Sequence, residues 1–225
     1  MADAWPEWMG RAFSEPRMEP YRDACGGDVP QACRLYWWNV EVCAALYGPL
    51  HCLELALRNA LHVVLTEHYG RADWWEAAPL NAHGLRLVAK ARTKCAGRRG
   101  RGRRPVGTDS VVAELSFGFW AALLSAGSGY DRTFWVPVVH KAFPHYGGRR
   151  DTLYDELWSL VLLRNRVMHH EPVYTRHLAA DHAKIYRLLG YLSPALVPEV
   201  RAMDRFPSVL RHRGTTCDGS RRPRF

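Results

Sequence analysis

The chain has no pair of cysteines at C-x2-C spacing. Its six cysteines stand at 25, 33, 43, 52, 95 and 217, so no zinc ribbon or finger is expected. It does not open on a basic stretch followed by an apolar leader core; Met1, Ala2, Asp3, Ala4 and Trp5 come first. No unbroken run of about 18 apolar residues occurs, so no transmembrane helix and no membrane partner are expected. Together these absences predict a cytoplasmic chain with reduced thiols, in which Cys43 and Cys52 fill apolar helical runs. Alternation at period two long enough for a sheet is missing, and so is any internal repeat. What is left is an all-α fold.

Lysine is scarce as well, with 4 against 27 arginines, yet the net charge is +9 over 225 residues. That charge is concentrated. Arg98, Arg99, Arg101, Arg103 and Arg104 hold +5, and the segment from Arg211 to Phe225 holds +4, so the remaining chain is near neutral. Two basic appendages on a neutral body are the electrostatic footprint of a nucleic-acid binder. The alternative is compositional, since a chain so rich in arginine places it in any loop.

Residues 1–28 contain Pro6, Pro16, Pro20 and Gly26-Gly27 and form an N-terminal extension of short helices, with Trp5, Trp8 and Phe13 available to dock it. The main helical domain spans 29–205. A helix starts near Val29, with Pro30 in its first turn. Its stripe is Ala32, Leu35, Tyr36, Val40, Cys43 and Leu46 or Tyr47, and Gly48-Pro49 breaks or kinks it. A second helix carries Leu50, Leu53, Leu57, Leu61, Val64 and Leu65. A third runs from Leu80 to about Cys95. A fourth covers 111–124, with Thr108 or Asp109 as its N-cap. Short helices and turns fill 127–150, and further helices begin near Asp151 and Leu178. The basic segment 206–225 is expected to be disordered.

The helix from Asp151 ends in the densest cluster of chemistry: Arg164, Asn165, Arg166, His169, His170 and Glu171. Leu153, Leu157, Leu160, Val161, Arg164 and Met168 recur at steps of three and four, and Tyr154, Trp158 and Leu162 form a second stripe. Apolarity over most of the circumference predicts burial on several sides. A guanidinium on such a face needs an anion, either a carboxylate or a phosphate. Pro172 biases Glu171 away from helical backbone, so the helix ends at about 169–171. Arg164 and His169 lie about 140° apart on an ideal helix. They meet on one ligand only if the last turn distorts or a second copy packs alongside. The structural alternative pairs Arg164 with a buried acid and leaves the histidines as cations at a helix C-terminus.

The string LRNRVMHHEPV, with Arg164 and His169 at R-x4-H, resembles the R-x4-6-H signature of the HEPN superfamily, and in particular its Abi-like (abortive infection) branch. Two further blocks resemble the same branch: LYGPLHCLELALRNALHVVLTEHYGRADWW from Leu46 and VVAELSFGFWAALL from Val111. The resemblance covers roughly residues 30–190. It implies a HEPN-like helical bundle with additional N-terminal and C-terminal helices, and a homodimer that joins two motifs. It also implies metal-independent, cofactor-free RNA cleavage in a phage-defence or toxin setting, leaving 2′,3′-cyclic phosphate and 5′-OH ends. An antitoxin or defence-system protein is a further implied partner. Arg164, His169 and Asn165 take the catalytic positions, and His170 fits the pattern equally as R-x5-H. The chemistry suits these types. Histidine titrates near neutrality, and the guanidinium fork matches phosphate. The rival reading is a non-catalytic RNA-binding or scaffold protein of the same fold.

Other candidates rank below. Glu54, Arg58 and Asn59 form an LE-x3-RN block that supports the site, with Glu171, or makes a plain i,i+4 salt bridge. Arg166 and the five arginines of 98–104 are candidate RNA contacts. His169, His170, Glu171, His177 and His182 match no strong metal spacing, and H-E-x-x-H is absent. The aromatics Trp37, Trp38, Trp74, Trp75, Phe117, Phe119, Trp120 and Trp135 are assigned to core packing ahead of base stacking, and Gly118 to a close helix approach.

Overall fold

The computed structural model describes residues 5–99 and 107–225. Helices form its secondary structure, and no strand occurs among the described residues, so the fold is all-α. In chain order these are α1 (Glu7–Phe13), α2 (Glu15–Ala24), α3 (Val29–Tyr69), α4 (Ala82–Arg99), α5 (Thr108–Glu114), α6 (Phe117–Ala122), α7 (Arg150–Met168), α8 (Leu178–Leu192), α9 (Leu196–Ala202), α10 (Phe206–Arg211) and α11 (Arg213–Cys217).

Three elements differ from expectation. First, α3 is one helix of 41 residues through Pro49. An interior proline removes an amide donor and crowds the carbonyl four residues back, at about 3 kcal/mol. Burial on both sides opposes a break, because Ala45, Leu46, Leu50, Leu53 and Pro49 itself are buried. By length and composition α3 is apolar enough to cross a membrane, although 44% of the qualifying window is buried inside the protein. Second, 111–124 is two helices. Leu115 is extended, and the Ser116 hydroxyl caps α6 by accepting from the Phe119 amide at 3.2 Å.

Third, 206–225 is not disordered. Phe206, Val209 and Thr216 are buried. Trp38 Nε1 donates to the Val209 carbonyl at 3.2 Å, and the Arg213 guanidinium lies 4.9 Å from the Trp38 ring centre, within cation–π range. Arg221 forms a two-pronged pair with Glu41 at 2.6 and 2.8 Å. The Glu41 side chain is only 1% exposed.

The described residues divide into two compact units. The first takes Met1–Leu50, Leu163–Ala183 and Glu199–Phe225. Met9, Met18, Tyr21, Trp38, Leu46 and Phe206 are its largest buried side chains. The N-terminal extension therefore belongs to this core, although Trp8 is 57% exposed and packs edge-on against Phe13 of its own helix. The second unit takes His51–Leu162 and Lys184–Pro198. Leu53, Leu57 and Leu61 of α3, Leu153, Leu157 and Leu160 of α7, and Trp74, Trp120 and Phe134 fill it. Trp75, Phe117 and Phe119 are buried there too, in accord with core packing. Gly118 makes no close approach. A Cβ there would meet Val161 Cγ1 at 3.6 Å, an ordinary contact.

Burial alone would push the Glu41 carboxyl up. The hydrogen bonds from Arg221 and from the Arg224 backbone, with the charges of Arg221 and Arg205, outweigh it and hold the group below its ordinary range. A depressed carboxyl contributes stability above its unfolded value and loses it as pH falls through the folded value. Arg221→Ala leaves a buried carboxylate unpaired and is expected to cost near the lower end of about 3–5 kcal/mol, because the arginine is partly solvated. Denaturant unfolding checks this. The double variant Glu41→Gln/Arg221→Ala should recover part of the loss and blunt the decline in stability below pH ~4. An unchanged midpoint for Arg221→Ala would mean that the pair does not hold the C-terminal segment.

Candidate active site at the end of helix α7

In α7 the buried positions are Leu153, Leu157, Leu160, Val161, Leu163 and Val167. The second expected stripe is only partly covered: Tyr154 is half-buried, while Trp158 and Leu162 are 37% and 49% exposed; Met168, expected on the first stripe, is 42% exposed. Arg164 is half-buried. Asn165 and His169 are exposed.

The helix stops as Pro172 requires. The His169 amide still bonds the Asn165 carbonyl at 2.9 Å, so helical geometry holds up to that residue. Then the Glu171 amide reaches back to the Arg166 carbonyl at 2.8 Å, and the His170 amide to the Val167 carbonyl at 3.3 Å. These crossed bonds form a Schellman closure, which needs a left-handed residue. His170 supplies it with φ of 59°. The last turn is thus undistorted as far as His169. Arg164 and His169 stay about 140° apart around the axis, and the chain does not bring them onto one face.

What the fold brings together is different. Arg17 of α2 donates from Nη1 to the His170 carbonyl at 2.8 Å. Buried Asn39 of α3 accepts the Val173 amide at 2.8 Å through Oδ1. Arg166 donates to the Pro172 carbonyl at 3.2 Å and lies 3.8 Å from the Glu171 carboxylate. Beside this turn, within the first unit, a groove of about 690 Å³ is lined by Phe13, Arg17, Trp37, Tyr47, Met168 and His170, among others. Cys43 also lines it. Burial pushes that thiol up to about 12, so it is a thiol at neutral pH and no nucleophile.

Arg17 and Asn39 were not singled out as site residues by sequence, and Trp37, assigned there to core packing ahead of base stacking, is half-buried and lines the groove. Asn39 carried a readable signal, as an amide four residues from both Leu35 and Cys43 on an apolar stripe. Arg17, in a proline-rich extension, carried none.

The remaining candidates lie elsewhere. Arg58 Nε donates to Asn59 Oδ1 at 3.3 Å, and Glu54 is half-buried with polar contact of its own. These three belong to the second unit. His177 caps α8 by accepting the Ala180 amide at 3.1 Å, and His182 lies 2.5 Å from Asp204. Among the described residues no group of three His, Cys, Asp or Glu side chains is placed to hold a metal ion. Arg101, Arg103 and Arg104, and the side chains of Arg98 and Arg99, lie outside the described residues. Comparison with protein-family models, with curated proteins and with solved structures gave no match.

A left-handed histidine costs roughly 1–2 kcal/mol relative to glycine. His170→Gly should therefore raise the unfolding midpoint, whereas His170→Val, β-branched, should lower it. Equal midpoints for the two variants would show that residue 170 is not held left-handed in solution.

Proposed function

We propose that the chain is a HEPN-like, Abi-type endoribonuclease that works without a metal or cofactor, as a homodimer. The observation that carries the reading is the end of α7: two exposed histidines on a closed turn, with a half-buried arginine little more than one turn earlier. In this reading RNA is cut by its own 2′-hydroxyl. A histidine takes the hydroxyl proton as the 2′-oxygen bonds phosphorus. The bond from phosphorus to the 5′-oxygen breaks, and a second acid protonates that oxygen. Arg164 faces the charge growing on the phosphoryl oxygens, and Asn165 supports it.

A homodimer answers the 140° separation. Arg164 of one copy and His169 of the other share a ligand that a single copy's pair does not. The exposed Trp158, Leu162 and Met168 on α7 are apolar groups suited to such an interface. The arginines of 98–104 and Arg166 serve the RNA backbone, and the setting is phage defence or a toxin system in the cytoplasm, with an antitoxin or defence protein as candidate partner.

The second reading, a non-catalytic RNA-binding or scaffold protein, is favoured by one fact: cations at a helix C-terminus are stabilising without any chemistry. Arg164→Ala and His169→Ala separate the two readings. Each is expected to lose about 10²–10⁴-fold in cleavage rate, while RNA affinity and the folded signal persist. End-group analysis of the products should give 2′,3′-cyclic phosphate and 5′-OH. Full activity in both folded variants would refute the active-site assignment.

The dimer is tested separately by light scattering at high micromolar concentration. An interface of at least about 1,000 Å² is expected, and Leu162→Glu should dissociate it. A monomeric wild-type protein would remove the answer to the separation of Arg164 from His169.

A further inference from the structure

We infer that the groove of the first unit holds one unpaired base of the RNA against Trp37, with an adjoining phosphate on Arg17. This rests on the ribonuclease reading for the nature of the ligand. It adds where the ligand's base is held.

The groove volume, about 690 Å³, falls within the range of about 300–1,000 Å³ usual for small-ligand sites. Its wall is built to present a flat face. The Trp37 ring is buttressed by Tyr36 at 5.2 Å and 73° and by Phe13 at 5.7 Å and 81°, two edge-on contacts that hold the indole. The indole already accepts a planar ring: Phe225 lies over it at 6.1 Å and 16°. Phe225 is itself 68% exposed, so this ring is a lightly held occupant of the place a base would take.

The electrostatics select an anion. The side chains lining the groove include one guanidinium and one imidazole and no carboxylate. Arg17 is exposed and oriented by its bond to the His170 carbonyl, a fork set in place beside an aromatic wall. An apolar peptide would leave that cation without use. A nucleotide uses both, because base–aromatic stacking with a backbone cation is how single strands are held. The groove also shares Met168 and His170 with the motif turn, so a base seated there places its sugar–phosphate next to the candidate chemistry.

The probe is a single-stranded 12-nucleotide RNA with 2′-O-methyl riboses, which lacks the attacking hydroxyl and cannot be cut. Binding is read by fluorescence anisotropy at several salt concentrations. Trp37→Leu is expected to weaken binding roughly 5- to 100-fold, the range for losing one base–aromatic stack. Trp37→Phe, which keeps a ring, should stay within a few-fold of wild type and guards against a folding artefact. Arg17→Ser should lower the log–log salt slope by about 0.7. Moving a single abasic site along the probe should find one position at which wild type loses affinity and Trp37→Leu does not.

Wild-type affinity in folded Trp37→Leu would overturn the proposal and leave the groove to an apolar peptide. Cleavage of unmodified RNA is read in parallel. Cleavage with no Trp37 effect sinks the groove alone, and a Trp37 effect with no cleavage under any condition sinks the nuclease reading alone.

Discussion

At the end of α7 the Glu171 amide closes onto the Arg166 carbonyl, and that bond is possible only because His170 takes a positive φ. Glycine would make the same turn at less cost. With histidine, the turn must be held from outside. Four contacts do this: Arg17 on the His170 carbonyl, Arg166 on the Pro172 carbonyl, buried Asn39 on the Val173 amide, and the Val173 side chain, which has no exposed surface. Pro172 removes the alternative, since it cannot extend the helix. The exposure of His169, the place of His170 on the groove and the course of the chain toward α8 all follow from this closure.

The counterpart of that turn is a stretch of α3. Successive helical residues point about 100° apart, and four positions serve three tasks. Trp37 faces the groove. Trp38 receives the C-terminal segment through the Val209 carbonyl and Arg213. Asn39 holds the turn after α7, and Glu41 binds Arg221. A kink within this stretch would separate the three. The break that Pro49 invites falls beyond it, and there burial keeps α3 helical through the proline.

Local pattern made much of the fold legible. The start of α3 at Val29, the span of α7 and its arrest before Pro172 were each written in neighbouring residues, through period and backbone chemistry. Misreadings arose where tertiary contacts outweighed local preference. Pro49 reads as a breaker because its cost is local, while the burial that offsets it comes from packing. The C-terminal segment reads as a solvated basic tail because Arg221 and Arg213 look like surface charge, and their partners, Glu41 and Trp38, stand about 180 residues earlier. Leu115-Ser116 was missed in the opposite direction, since a serine cap is a local signal that continuous apolarity concealed. The motif residues were visible as a cluster. The groove was not, because Arg17 and Trp37 join it only through the fold.

The two histidines, equivalent in the R-x4-6-H pattern, are not equivalent in space. His169 continues the helix, so its direction is set by the rotation of α7, and it projects from an unstrained backbone. His170 is turned by its left-handed backbone, lines the groove and has its carbonyl tied to Arg17. Backbone strain of this kind persists only where surrounding structure over-determines it. A glycine at 170 would keep the turn and discard the imidazole, whereas a glycine at 169 would weaken the helix end and leave the turn in place. Position 170 therefore exchanges stability for an imidazole at the groove, and position 169 carries one at no conformational cost. Any division of proton-handling roles between the two must respect that asymmetry.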